Sequence, residues 1–163
     1  KLEVLVQQYS IQERVIFCGF DPNPFKYMAK SSIYVLSSIS EGFPNSLIEA
    51  MACSLPVVAA DCKTGPREIL APNCIHEASK CIEYHEWGIL VPALDAREEY
   101  TTAPLQMGEK YLANALSDLL LDEQMRNVYA GKSRRRAYDF GYALWKEKIE
   151  KIIVPLLYPK NEH

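Results

Sequence analysis

Four short runs, RVIFC (14–18), SIYVLSS (32–38), LPVVAAD (55–61) and GILVP (88–92), are apolar almost end to end. A strand with one wet face alternates apolar and polar residues, whereas a strand covered on both faces does not. Helical stretches separate these runs: residues 24–30, 46–53 and 65–70, after an opening helix that places Leu2, Leu5, Val6 and Tyr9 on one face. From Gly108 onward the pattern is wholly helical. Strand and helix in alternation, with strands this apolar, predict an α/β fold: a doubly wound parallel sheet with a helical C-terminal tail. Residues 71–87 and 93–107 are polar and aperiodic and read as loops.

At 163 residues the chain suits one domain with a sizeable core. A net charge of -3 supplies no field to attract a phosphate backbone, which argues against a generic nucleic-acid binder. No apolar run approaches the roughly 18 residues that span a bilayer, and the opening KLEVLVQQYS lacks a secretion-signal layout. Five cysteines, an odd count, read as reduced thiols in a cytosolic protein. Cys74, His76, Cys81 and His85 have some metal character, but C-x-H-x4-C-x3-H matches no common zinc spacing, and a polar loop is the preferred reading.

The stretch Glu41-Gly42-Phe43-Pro44-Asn45-Ser46-Leu47-Ile48-Glu49 follows the second strand directly. Ligands of an open parallel sheet bind beyond the carboxyl ends of its strands. A helix opening at Asn45 or Ser46 aims free N–H groups and a positive dipole end into that crevice, a ready site for phosphate. Gly42 admits close approach and Pro44 stiffens the turn. Glu49 has two readings: the partner of Ser46 in an S-x-x-E capping box, or a grip on vicinal hydroxyls. Glu41 caps nothing obvious, and its plain alternative is a solvated loop acid. Lys63 and Arg67 follow the third strand and could meet an anion, against a reading as a solvated loop. Arg134-Arg135-Arg136 is either a solvated basic face or an attraction to an anionic inner leaflet.

This stretch, with Leu55-Pro56-Val57-Val58-Ala59, Gly65-Pro66-Arg67-Glu68-Ile69 and Gly88-Ile89-Leu90-Val91-Pro92, resembles the donor-site signature of retaining GT-B glycosyltransferases. The nearest group is the "glycosyl transferases group 1" family that builds bacterial surface polysaccharides. The resemblance runs from residue 1 to about 150. It implies the Rossmann-like C-terminal half of a GT-B fold, with 1–140 as the nucleotide-sugar-binding domain and 141–163 as a crossing helix and tail. Glu41, the catalytic candidate, would contact hydroxyls of the transferred sugar, and Glu49 would hold the nucleotide ribose. Backbone amides of Gly42, Phe43, Pro44, Asn45, Ser46 and Leu47 would surround sugar and diphosphate, proline contributing backbone without a donor. Gly19 and Phe20 would lie near the base.

The implied reaction moves a hexose or N-acetylhexosamine from a nucleoside diphosphate, with UDP expected, to a lipid-linked or cell-surface glycan. No cofactor and no metal are expected, since the sequence offers no Asp-x-Asp motif. The implied partners are the nucleotide-sugar donor and an N-terminal acceptor domain outside these residues, together with the family's diphosphate-binding Arg and Lys. The expected location is cytoplasmic, at the inner face of the cell membrane. An alternative is a non-catalytic donor-binding subunit completing a two-polypeptide enzyme. A dehydrogenase-type domain lacks support because no G-x-G-x-x-G follows any strand. The family usually shows Gly where Ser54 stands, so a left-handed helix end is expected there.

Overall fold

The computed structural model describes residues 1–74, 78–95 and 104–157. His76, parts of both sequence-predicted loops and the end of the C-terminal tail lie outside the described residues. The strands are β1 (Tyr34–Leu36), β2 (Val57–Asp61), β3 (Glu83–Tyr84) and β4 (Ile89–Pro92), in the spatial order β1-β2-β4-β3. β1, β2 and β4 are parallel, with Leu36 opposite Ala59 and Ala59 opposite Leu90. β3 runs antiparallel to β4. It falls within residues read as a loop, because a two-residue strand is too short to show a period.

The helices are α1 (Leu2–Gln8), α2 (Phe25–Met28), α3 (Asn45–Ala52), α4 (Pro66–Leu70), α5 (Met107–Leu121), α6 (Glu123–Ala137) and α7 (Tyr142–Leu157). All five residues of β2 are buried, as expected for a strand covered twice. Val57 and Ala59 join Leu47, Met51, Ile69 and Leu70 from α3 and α4 on one face. Val58 and Ala60 turn the other way, to Ala115 and Leu119 of α5 and Tyr129 of α6. Each large aliphatic buried this way contributes about 1.5–3 kcal/mol, so this two-sided packing holds the sheet. Tail and sheet are tied by Arg136, which donates to the Ile69 and Glu68 carbonyls at the C-terminal end of α4 (2.9 and 3.2 Å).

Two sequence expectations need correction. RVIFC is no strand: after a 3-10 turn at Gln12–Arg14, residues 15–20 carry no regular structure, with Ile16 86% and Phe20 96% exposed. Its β-rich composition fits a half-buried pleated surface, but a strand also needs a neighbour for its N–H and C=O groups. Among the described residues β1 is the edge of the sheet and nothing pairs beyond it. Second, Arg136 is not part of a solvated basic face, unlike the exposed Arg134 and Arg135. Its guanidinium also pairs with Asp139 (2.7 Å) and lies over the Trp87 and Phe140 rings.

The left-handed helix end is present. Ser54 closes α3 at φ +62°, and Leu55 N–H reaches back to the Ala50 carbonyl (3.1 Å). α7 buries no residue and leaves Ile152, Leu156 and Leu157 exposed. No helix of the described residues is long and apolar enough to cross a membrane.

Candidate functional site

Two strand–turn–helix units lie side by side at the carboxyl edge of the sheet. β1 leads through residues 37–44 into α3, and β2 leads through residues 62–65 into α4. They interlock at Gly65. Its φ is +94°, and a Cβ built there would meet Pro44 Cδ at 2.4 Å and the Gly42 carbonyl at 2.9 Å. Glycine is therefore required on both conformational and steric grounds. Pro44 is fully buried. The Thr64 hydroxyl adds a second tie by donating to the Glu41 carbonyl.

α3 opens at Asn45, directly after Pro44, with no side-chain cap. Ser46 is thus the second residue of the helix and Glu49 the fifth, so the S-x-x-E capping box does not form. The Ser46 hydroxyl instead accepts from Tyr34 (2.9 Å). Leu47 is wholly buried and its N–H donates to the Pro44 carbonyl (3.0 Å), which withdraws that amide from any ligand. The N–H groups of Phe43, Asn45 and Ser46 have no acceptor among the described residues. Three amides at one helix end, with the dipole behind them, are an arrangement suited to receive an anion.

Glu41 points its carboxylate at Ser38, whose Oγ donates to Oε1 at 2.6 Å. Burial pushes the Tyr34 phenol up, and the negative charges of Glu41 and Glu49 push it the same way. Burial also raises the Cys62 thiol, again with Glu41 acting in the same direction. The charge of Glu41 therefore acts on groups at β1 and just past β2, while Glu49 shares only the first of them.

Glu49 lines a cavity of about 440 Å³ together with Phe43, Asn45 and Ile48. Its other wall is Asp139, Phe140, Trp145 and Lys148, from the turn before α7 and the first half of that helix. Phe43 and Phe140 meet across it, with ring centroids 5.7 Å apart and tilted by 59°. Of the residues singled out from sequence, Phe43, Asn45 and Glu49 come together here. Pro44, Ser46 and Leu47 shape the turn, and Gly42 lies exposed with open space where a Cβ would stand. Gly19 and Phe20 are not among the lining residues. Glycine 19 takes a positive φ of 63° in open space.

The second unit uses its charges on itself. Arg67 is 8% exposed and donates to both Asp61 carboxylate oxygens (2.7–3.1 Å), to Ser79 Oγ (2.7 Å), to Glu83 (3.0 Å) and to the Cys74 carbonyl (3.0 Å). Arg67 is thus neither a solvated loop residue nor free for a diphosphate. Burial tends to raise the Glu83 carboxyl, but hydrogen bonds from His85, Arg67 and Ser79 outweigh it and hold it below its usual range. Glu68 accepts from Gly65 N–H at 3.3 Å, closing the first turn of α4. Lys63 stays exposed. Cys74 and Cys81 are exposed free thiols, His85 bonds to Glu83 (2.7 Å), and no group of three metal-binding side chains occurs among the described residues.

Tyr34, Phe140, Trp145 and Lys148 were not among the site candidates read from the sequence, where Trp145 counted only as part of an amphipathic terminal helix. The density of aromatic residues in YDFGYALW (138–145) was the available signal.

Residues 1–81 match the family "Glycosyl transferases group 1". An uncharacterised glycosyltransferase of Methanocaldococcus jannaschii is 36% identical over 160 residues, covering 94% of this chain and 39% of its own length. The Campylobacter jejuni N-acetylgalactosamine-N,N'-diacetylbacillosaminyl-diphospho-undecaprenol 4-alpha-N-acetylgalactosaminyltransferase is 33% identical over 140 residues, 86% of this chain and 32% of its own. Among solved structures, the sucrose-phosphate synthase of Thermosynechococcus elongatus superposes with a TM-score of 0.70 at 26% identity. That match covers 96% of this chain and 33% of the synthase. Anabaena HepE in complex with UDP gives 0.73 at 22% identity, over 94% and 35% of the two chains, a likeness of fold. This chain spans 39% and 32% of the lengths of these two curated relatives.

Proposed function

We propose, from the premise that residues 1–81 carry a Glycosyl transferases group 1 domain, that this chain is the donor-binding part of a retaining glycosyltransferase. The enzyme would transfer a hexose or N-acetylhexosamine from a UDP-sugar to a lipid-linked or cell-surface glycan. One observation carries the reading: Glu49 is free of the capping box and lines a cavity with Phe43 and Asn45, whose backbone N–H groups have no acceptor among the described residues. A carboxylate that accepts from two vicinal hydroxyls suits a ribose. Amides and a helix dipole suit the diphosphate beside it.

The chemistry asked of this domain is positioning and charge stabilisation. A leaving diphosphate gains negative charge as the glycosidic bond breaks, and fixed N–H donors stabilise that charge without reorganising. No metal is assigned to this step. Glu41, already oriented by Ser38, would accept from hydroxyls of the transferred sugar and hold it for attack. Two relatives bear on the substrate class: the C. jejuni enzyme is named for a diphospho-undecaprenol acceptor, and a Salmonella typhimurium relative is named a lipopolysaccharide 1,6-galactosyltransferase. HepE, of the same fold, is recorded with UDP, which makes UDP the first nucleotide to test.

The test is Glu41→Gln in the full-length enzyme. Sugar transfer should fall about 100-fold or more, while UDP binding measured by calorimetry stays unchanged. An equal loss of UDP affinity would place Glu41 on the nucleotide and contradict its assigned role.

A further inference from the structure

The wall of the cavity opposite the α3 residues comes from α7 and the turn before it, which have no part in the signature residues, and the side chains of α7 form a pattern. α7 carries Lys146, Lys148 and Lys151 on its described length. Lys146 pairs with Glu150 (3.7 Å) and Lys151 with Glu147 (2.6 Å). Lys148, the one that lines the cavity, forms no ion pair among the described residues, and neither does Glu49 across from it. The remaining charged lining residue, Asp139, is already paired with Arg136 (2.7 Å). The cavity thus presents one anion and one cation that form no ion pair with each other or with any other described residue.

The same lining includes an aromatic face. Trp145 stacks on Tyr142 at 28° and 6.0 Å between centroids, and it remains 56% exposed. A ligand that satisfies this set offers hydroxyl donors, an anionic group and a planar ring. A nucleotide offers all three.

We propose that the first half of α7 is part of the nucleotide site, with Trp145 as the stacking platform for the base and Lys148 as a phosphate contact. The inference rests on the reading of Glu49 as the ribose ligand. It makes α7 a binding element, and it assigns a basic side chain to the phosphate from within this chain. Lysine suits the task as a mobile point charge that needs no bidentate geometry. Stacking on indole tolerates any base, so Trp145 sets affinity more than base choice.

The experiment is an NMR titration of UDP, and separately of uridine, into the chain and into Trp145→Ala, Lys148→Gln and Glu49→Gln. Amide spectra report folding and affinity together. Trp145→Ala should weaken UDP and uridine alike by about tenfold. Lys148→Gln should weaken UDP about fivefold and leave uridine unchanged, since only UDP carries phosphate. If the unaltered chain binds UDP and Glu49→Gln weakens it, while both α7 variants bind as tightly as the unaltered chain, the role of α7 is overturned and the ribose assignment survives. If the unaltered chain shows no UDP-dependent shifts, both fall together.

Discussion

The two neighbouring strand–turn–helix units differ in what they do with their polar groups. Each leaves a parallel strand, turns through Gly and Pro, and enters a helix carrying a glutamate. After β2, that glutamate closes its own helix turn, and Arg67 gathers Asp61, Ser79 and Glu83 around a buried guanidinium. After β1, three amides and Glu49 have no protein partner among the described residues. The first arrangement builds scaffold and the second leaves capacity for a ligand. Gly65 couples them, since it presses the finished unit against Pro44 of the open one.

That contrast can be broken most severely at Arg67. Arg67→Ala strands Asp61, 6% exposed, as a buried charge without its cation. Removing one partner of a buried pair costs about 3–5 kcal/mol, so urea unfolding should shift by that amount. A loss below about 1 kcal/mol would mean that Arg67 is in effect solvated.

Gly65→Ala attacks the junction. An alanine forced to the Gly65 backbone (φ +94°, ψ -68°) costs about 1–3 kcal/mol, and pushing Pro44 aside adds about 1–3 kcal/mol of overpacking. UDP affinity should fall along with stability, because the 42–44 turn must move. Stability loss with unchanged UDP binding would show that the two units are uncoupled.

The smallest stability effect is expected at Glu49. Glu49→Gln should leave the melting curve within about 0.5 kcal/mol, because no cap and no ion pair is lost. The same change should weaken UDP about tenfold, the loss of a charge-assisted hydrogen bond. Unchanged UDP affinity in this variant would contradict the ribose assignment of Glu49.

The sheet was legible because β2 and β4 are buried on both faces and their composition says so. The left-handed residue at Ser54 was legible only through the resemblance, because the family usually shows Gly there. RVIFC misled because composition records an affinity for sheet surface, while pairing depends on a neighbour that the sequence of the run cannot supply. Arg67 was opaque for a topological reason. Its partners at positions 61, 79 and 83 are brought together by the crossover from β2 and the short antiparallel β3, and no local spacing encodes that. The capping-box ambiguity at Glu49 turned on whether α3 opens at Asn45 or at Leu47, a difference within the usual error of any helix boundary. Trp145 and Lys148 lie about a hundred residues from Glu49, and only the packed tail places them on the same cavity.

The most direct measurement is a crystal structure of the chain grown with UDP. The expected result has ribose hydroxyls on the Glu49 carboxylate and phosphate oxygens on the amides of Phe43, Asn45 and Ser46. UDP bound away from this turn, or a Glu49 carboxylate folded back onto the start of α3 with UDP present, would contradict it.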